Sequence, residues 1–158
     1  MTTVPPALFG FSPIAPAACS PGLELLLADA VSAGCPSPAQ DYQDGTIDLN
    51  RELVAHPRST FCVRVRGQSM RDADLHDGDV LIVDRSIEAT EGCIAVCLLD
   101  GEFLVKYVHR RGGRVLLVPA NPLFKPLEVP PESVFEVWGV VTYVVHKAQR
   151  RTSHVRAG

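Results

Sequence analysis

The sequence predicts a mostly-β domain carried behind a proline-rich N-terminal arm. Prolines at positions 5, 6, 13, 16, 21, 36 and 38 make up seven of the chain's 13. Each lacks an amide donor and fixes φ, which forbids long helices and central strands in that region. Beyond about residue 45 the apolar residues alternate with polar ones or gather into short runs, the pattern of strands. Asp-Gly and Gly-Gly pairs punctuate those runs at hairpin spacing. The expected division is an arm over 1–45, a β-rich domain over 46–147 and a basic, solvated tail over 148–158.

Within the arm, Leu23 to Val31 is an apolar piece long enough for two helical turns, and it must bury itself on the body of the protein or on a partner. A short helix is expected from Ile47 to His56, capped by Asp48 and ended by Pro57. Phe61 to Arg66 alternates as a half-buried strand does, and Val80 to Val83 reads as a fully buried one. Cys93–Leu99, Asp100-Gly101 and Glu102–Val108 form a hairpin signature, because Asp-Gly supplies the positive φ of a type I′ turn. Arg110 to Arg114, with Gly112 and Gly113, marks the next turn and leads into Val115–Val118. Phe135–Val145 is a long last strand, with Gly139 placed for a bulge or bend. Strands at this spacing with little helix indicate a compact mostly-β domain. The tail from Lys147 carries Lys147, Arg150, Arg151 and Arg156 without apolar periodicity. Its default reading is a solvated end; contact with nucleic acid or an acidic partner is the alternative.

Composition narrows the function classes. The 158 residues are 46% hydrophobic and 21% charged, with a net charge of −3. Such a chain has no basic face for direct, sequence-specific nucleic-acid binding. No apolar run approaches the roughly 18 residues of a membrane span, and the N-terminus lacks the pattern of a signal peptide. Cytoplasmic residence is the expectation. The five cysteines, Cys19, Cys35, Cys62, Cys93 and Cys97, include no CxxC pair and no histidine at zinc spacing. They read as free thiols in a reducing compartment, with no metal and no cofactor expected. Cys93 and Cys97 share one strand face, where small buried hydrophobes is a better reading than a metal or redox pair.

The chemistry rests on Ser69 and Lys106. In Gly67-Gln68-Ser69-Met70-Arg71 a serine follows a glycine turn at a strand end, with the backbone amides of Gln68 and Ser69 near a developing oxyanion. Taken alone this also fits a turn serine capping Arg71-Asp72-Ala73-Asp74. Lys106 lies beside Leu104 and Val108 on one strand face, while Phe103, Val105 and Tyr107 take the other. Both faces are apolar, so the strand is expected to be central. A lysine there either snorkels to an edge or loses its charge. Desolvation that lowers its pKa toward neutrality costs about 4 kcal/mol, which a buried apolar site can impose. A neutral amine can take the serine proton as the hydroxyl attacks a carbonyl, with no histidine required. His56, His76, His109, His146 and His154 show no spacing that couples them to Ser69 or to an acid, and read as surface or satisfied residues.

From Pro36 to about His146 the chain resembles UmuD and its plasmid-borne relatives, and more broadly the self-cleaving domain of LexA-type repressors. The residues carrying the resemblance run in order: Pro36-Ser37-Pro38-Ala39-Gln40-Asp41-Tyr42, Ile47-Asp48-Leu49-Asn50, His56-Pro57 and Gly67-Gln68-Ser69-Met70. They continue through Asp77-Gly78-Asp79-Val80-Leu81-Ile82-Val83-Asp84, Asp100-Gly101-Glu102-Phe103, Val105-Lys106, Pro119-Ala120-Asn121-Pro122 and Trp138-Gly139-Val140-Val141. The serine-to-lysine interval of 37 residues also fits. The resemblance implies a compact LexA/UmuD-type peptidase domain of twisted antiparallel strands, with Ser69 as nucleophile and Lys106 as general base. It implies a cut in the chain's own arm at Ala33-Gly34, two residues ahead of Pro36. Small residues on both sides let an extended backbone enter a narrow cleft; without Ser69 and Lys106 the pair would read as a flexible linker. The resemblance further implies a homodimer and slow cleavage stimulated by a RecA–single-strand DNA filament. The product lacking the first 33 residues would then join a UmuC-like Y-family polymerase subunit in error-prone lesion bypass during the SOS response. The arm before the cut is longer and richer in proline than that pattern, and the extension beyond Lys147 has no counterpart in it.

Three other classes compete. A LexA-like or phage-type repressor would need a helix-turn-helix, for which the first 45 residues are too short and too proline-interrupted. A signal-peptidase-like enzyme would need a membrane anchor. A non-enzymatic accessory protein would keep the fold and the Ser–Lys pair but never cut itself.

Overall fold

The computed structural model describes Glu24–Leu27 and residues 45–148. Ala33-Gly34, Cys19, Cys35, His154 and the tail beyond residue 148 lie outside the described residues. β1 (Glu24–Leu27) and β2 (Gly45–Asp48) form a two-stranded antiparallel sheet, with Glu24 opposite Asp48 and Leu27 opposite Gly45. This corrects the expectation of helical turns over Leu23–Val31: Glu24–Leu27 is strand. A helix nucleus fixes several residues for one hydrogen bond, and a short run among prolines offers little to repay it. Pairing with Thr46 and Ile47, both β-branched, satisfies the same backbone groups at once.

α1 (Leu49–Leu53) follows directly, and the Asp48 carboxylate caps it by accepting from the Asn50 and Arg51 amides at 2.9 and 3.4 Å. It is shorter than Ile47–His56, because Ile47 and Asp48 are used in β2 and the chain leaves the helix at Val54. The segment before Pro57 is then tied by turns: the His56 carbonyl accepts from the Ser59 amide and the Thr60 hydroxyl.

The body is a seven-stranded, wholly antiparallel sheet: β3 (Thr60–Arg64), β4 (Val80–Asp84), β5 (Cys93–Leu99), β6 (Glu102–Arg111), β7 (Arg114–Val118), β8 (Leu127–Glu128) and β9 (Phe135–Val145). Its order is β3-β4-β9-β5-β6-β7-β8, so the last long strand inserts between β4 and β5. The β5–β6 turn has Asp100 at φ 49° and Gly101 at φ 88°, the two positive values a type I′ turn demands. β9 carries two register shifts. One, between Val96 and Cys97 of β5, leaves Trp138 as the extra residue beside Gly139. The bulge therefore falls one residue before Gly139. A Cβ on Gly139 would stand 2.7 Å from Val83 Cγ1, so close approach of β4 and β9 is what requires the glycine.

The strand alternation divides the core in two. Val63, Val65, Met70, Leu75, Leu81, Val83, Val96 and Trp138 form one cluster, joined by Phe103, Val105 and Tyr107. Ala95, Cys97, Val108 and Leu117 form the other, joined by Cys93 and Leu104. β6 thus has both faces covered and strands on both edges, as its sequence predicts. Among the described residues no helix is long and apolar enough to cross a membrane.

Candidate active site

Beyond β3 the chain stays pinned to β4's approach: the Val65 amide donates to the Asp79 carbonyl at 2.8 Å, and the Gly78 amide donates back to Val65 at 2.9 Å. Gly67 then turns at φ 88°, a backbone conformation suited to glycine, with its amide held by the Asp77 carboxylate at 2.7 Å. Met70 sinks into the core at 4% exposure and starts a short 3-10 turn, Arg71–Ala73. Ser69 is suspended between that glycine turn and that anchor, half-buried.

Lys106 sits opposite Ala95 in the β5–β6 register, flanked along its own face by Leu104 and Val108. Its Nζ is 2.7 Å from Ser69 Oγ and donates to the Val105 carbonyl at 2.9 Å. Burial pushes the Lys106 amine below the ordinary lysine range. The Cys97 thiolate would pull it the other way, yet burial drives the Cys97 thiol itself up to about 12. Cys97 is therefore an uncharged neighbour at any pH where the amine titrates, and desolvation decides the direction. Among the described residues no carboxylate forms an ion pair with Lys106. A charged amine can only donate to the hydroxyl, whereas a neutral one can also accept from it, and burial shifts the balance toward the neutral form.

The profile of the Peptidase S24-like family matches residues 25–142, a span that includes both Ser69 and Lys106. The chain belongs to that family. Within it the chain is UmuD-like: it is 47% identical over 115 residues to Protein MucA of Salmonella typhimurium, covering 72% of this chain and 77% of that protein. Protein SamA of Salmonella typhimurium (strain LT2) is 39% identical over 124 residues, 78% of this chain and 86% of that protein. The LexA repressor of Dechloromonas aromatica is 38% identical over 132 residues, which is 83% of this chain and 65% of that repressor.

In this S24 family member the other side of Ser69 is gripped by a loop between β7 and β8. Asn121, 4% exposed, donates from Nδ2 to the Gln68 carbonyl at 2.8 Å, and its Oδ1 accepts from the Leu123 amide at 3.0 Å. Next to it, the Ala120 carbonyl accepts from the Asp72 amide at 2.7 Å. Among the described residues nothing accepts from the Gln68 or Ser69 amide. Reading residues for chemistry alone overlooked Asn121 and Asp77 as parts of this site; the proline pair around Asn121 was the one local sign of a rigid loop.

Three histidines, read from the sequence as surface or satisfied residues, stand beside carboxylates that no spacing had marked as their partners. His56 Nδ1 is 2.6 Å from Asp84 Oδ2, His109 Nδ1 is 2.8 Å from Glu91 Oε1, and His76 Nδ1 is 3.6 Å from Asp79 Oδ2. The partners are long-range in the first two cases, which spacing cannot reveal. None of the three contacts Ser69. Asp84 is the centre of a buried polar knot that also takes the hydroxyls of Ser59 and Ser86 at 3.0 and 2.7 Å. Cys62, Cys93 and Cys97 are free thiols, and Cys93 and Cys97 both pack in the second core cluster. Among the described residues no group of three or more His, Cys, Asp or Glu side chains is placed to hold a metal ion.

Proposed function

We propose that this chain is a self-cleaving serine endopeptidase of the UmuD kind, with Ser69 as nucleophile and Lys106 as general base. The reading rests on one observation: a half-buried amine without an ionic partner among the described residues, 2.7 Å from a serine hydroxyl. Neutral Lys106 takes the Ser69 proton as Oγ attacks the Ala33 carbonyl carbon. The amides of Gln68 and Ser69 face the oxygen that becomes negative. The Lys106 ammonium then returns its proton to the Gly34 nitrogen as the peptide bond breaks, leaving Ala33 esterified to Ser69. Water, deprotonated by Lys106, attacks that ester and frees the Ala33 carboxylate and the Ser69 hydroxyl.

The chain is a UmuD-like protein of SOS mutagenesis, so its shortened form is the one that works. The stimulus is a RecA–single-strand DNA filament, the functional unit a cytoplasmic homodimer, and the target a UmuC-like Y-family polymerase subunit. The arm over 1–45 carries the cut, the domain over 46–147 makes it, and 148–158 is a tail. A LexA-like repressor is the second reading, favoured by the matched LexA sequence but weakened by the third of that repressor left unmatched.

Incubating the full chain at alkaline pH, where more Lys106 is neutral, should yield a break between Ala33 and Gly34 by mass spectrometry. Ser69→Ala and Lys106→Ala should each abolish it. Cleavage that survives either substitution removes the assignment.

A further inference from the structure

We infer that Asn121 is a positioning residue for the peptidase, holding the Ser69 amide where it donates to the developing oxyanion. The inference rests on the Ser69–Lys106 reading above and adds a residue from a strand connection remote in sequence.

The geometry starts from a buried side-chain amide with both ends committed. Oδ1 accepts from the Leu123 amide at 3.0 Å, which fixes which way the group faces, and Nδ2 is thereby aimed at the Gln68 carbonyl at 2.8 Å. The Arg71 amide reaches the same carbonyl only at 3.3 Å, so Asn121 makes the shorter contact. Gln68 C=O and Ser69 N–H belong to one peptide unit. That unit is trans, and in a trans peptide the two groups point in opposite directions. Gripping the carbonyl from the β7–β8 loop therefore turns the Ser69 N–H the other way. Donation to the carbonyl also polarises the peptide, which strengthens the N–H as a donor. The Asp72–Ala120 bond at 2.7 Å holds the same loop on the far side of Ser69, so the serine segment cannot rotate to escape the grip.

Lys106 approaches Ser69 through the hydroxyl, not through this peptide. Asn121 should accordingly change how well the oxyanion is stabilised while leaving the titration of the base alone, and that separation makes the test. First-order self-cleavage rates of the full chain are measured from pH 7 to 11 for wild type, Asn121→Ala and Asn121→Asp, with thermal unfolding of each. Asn121→Asp keeps an acceptor for Leu123 and nearly the same shape but exchanges the donor to Gln68 for a carboxylate whose charge can itself move the inflection, so its rate carries the test if the alanine variant fails to fold, and the inflection is read from Asn121→Ala. Removing an oxyanion donor outright costs roughly 100- to 1,000-fold in rate. Misaiming one donor should cost roughly 10- to 100-fold, with the rate–pH curve displaced downward and its inflection unmoved. A folded Asn121→Asp protein that cuts within about twofold of wild type overturns the inference, as does an inflection that moves with the rate in Asn121→Ala. In either case wild-type cleavage that needs Ser69 and Lys106 leaves the peptidase reading standing. Cleavage indifferent to Ser69→Ala removes both.

Discussion

Lys106 faces Ala95 across the β5–β6 pair and has Cys97 for a diagonal neighbour, so its charge is poorly hydrated and unpaired among the described residues. Its pKa is lowered, hence the neutral base appears at a lower pH than for a free lysine. Self-cleavage should rise with pH through that lowered pKa and level off before the ordinary lysine range, which rate measurements across pH 6 to 11 would show; a rise only near the ordinary lysine pKa would mean an exposed amine. The same sign governs stability: the unfolded chain binds this proton more tightly, so the burden is absent above the ordinary lysine pKa and full below the lowered one. Lys106→Met should abolish cleavage yet leave the fold at neutral pH as stable as before, or more so by about 1 kcal/mol, judged by urea denaturation. Asp84 shows the opposite balance. Burial opposes its charge, but the Ser86 hydroxyl, His56, the Ser86 amide and the Ser59 hydroxyl outweigh that and hold it at about 2. Its folded pKa lies below the ordinary 3.8, so its contribution is complete above that value and lost as pH falls through about 2. The difference amounts to about 2 kcal/mol. Urea midpoints should fall between pH 5 and pH 2 in the wild type and fall less in Asp84→Asn, which should already be weaker at pH 7.

At the scale of elements, the hairpin from Cys93 to Val108 was legible because local chemistry specifies it: alternation on both sides and two positive-φ positions at Asp100-Gly101. β9 was legible for the same reason, and its bounds agree with the apolar run. β1 was not, since four leucine-rich residues carry no period of their own and take the structure of whatever they pair with. β8, two residues long, exists only because β7 offers it an edge. Gly139 illustrates a constraint between elements. Its place near a bulge could be read from the strand, but the need for a bare Cα comes from Val83 on β4. Gly139→Ala should destabilise by about 1–3 kcal/mol in urea, and shortening the opposing side chain by Val83→Ala should recover part of that. An additive double mutant would show that the two do not meet.

For the molecule as a whole, the pairing of Ser69 with Lys106 was foreseeable as chemistry, while its route was hidden. The sheet order sets β9 between β4 and β5, and the β7–β8 loop returns to clamp Gln68; both depend on long-range contacts that no window of sequence contains. The histidine–carboxylate pairs were hidden likewise. The two-stranded sheet of β1 and β2 brackets the residues 28–44 and with them the Ala33-Gly34 bond. Four residue pairs make a ribbon too small to persist unaided in water, and the chain joins its two strands covalently, which raises the effective concentration of one beside the other. Under the proposed cut between Ala33 and Gly34, the strand Glu24–Leu27 is no longer covalently tied to β2. Hydrogen exchange should show Thr46 and Ile47 losing protection on cleavage while Val83 and Val96 keep theirs. If the proposed cut is made, the covalent link between β1 and β2 is gone, and β2 keeps only an unpaired edge where β1 lay.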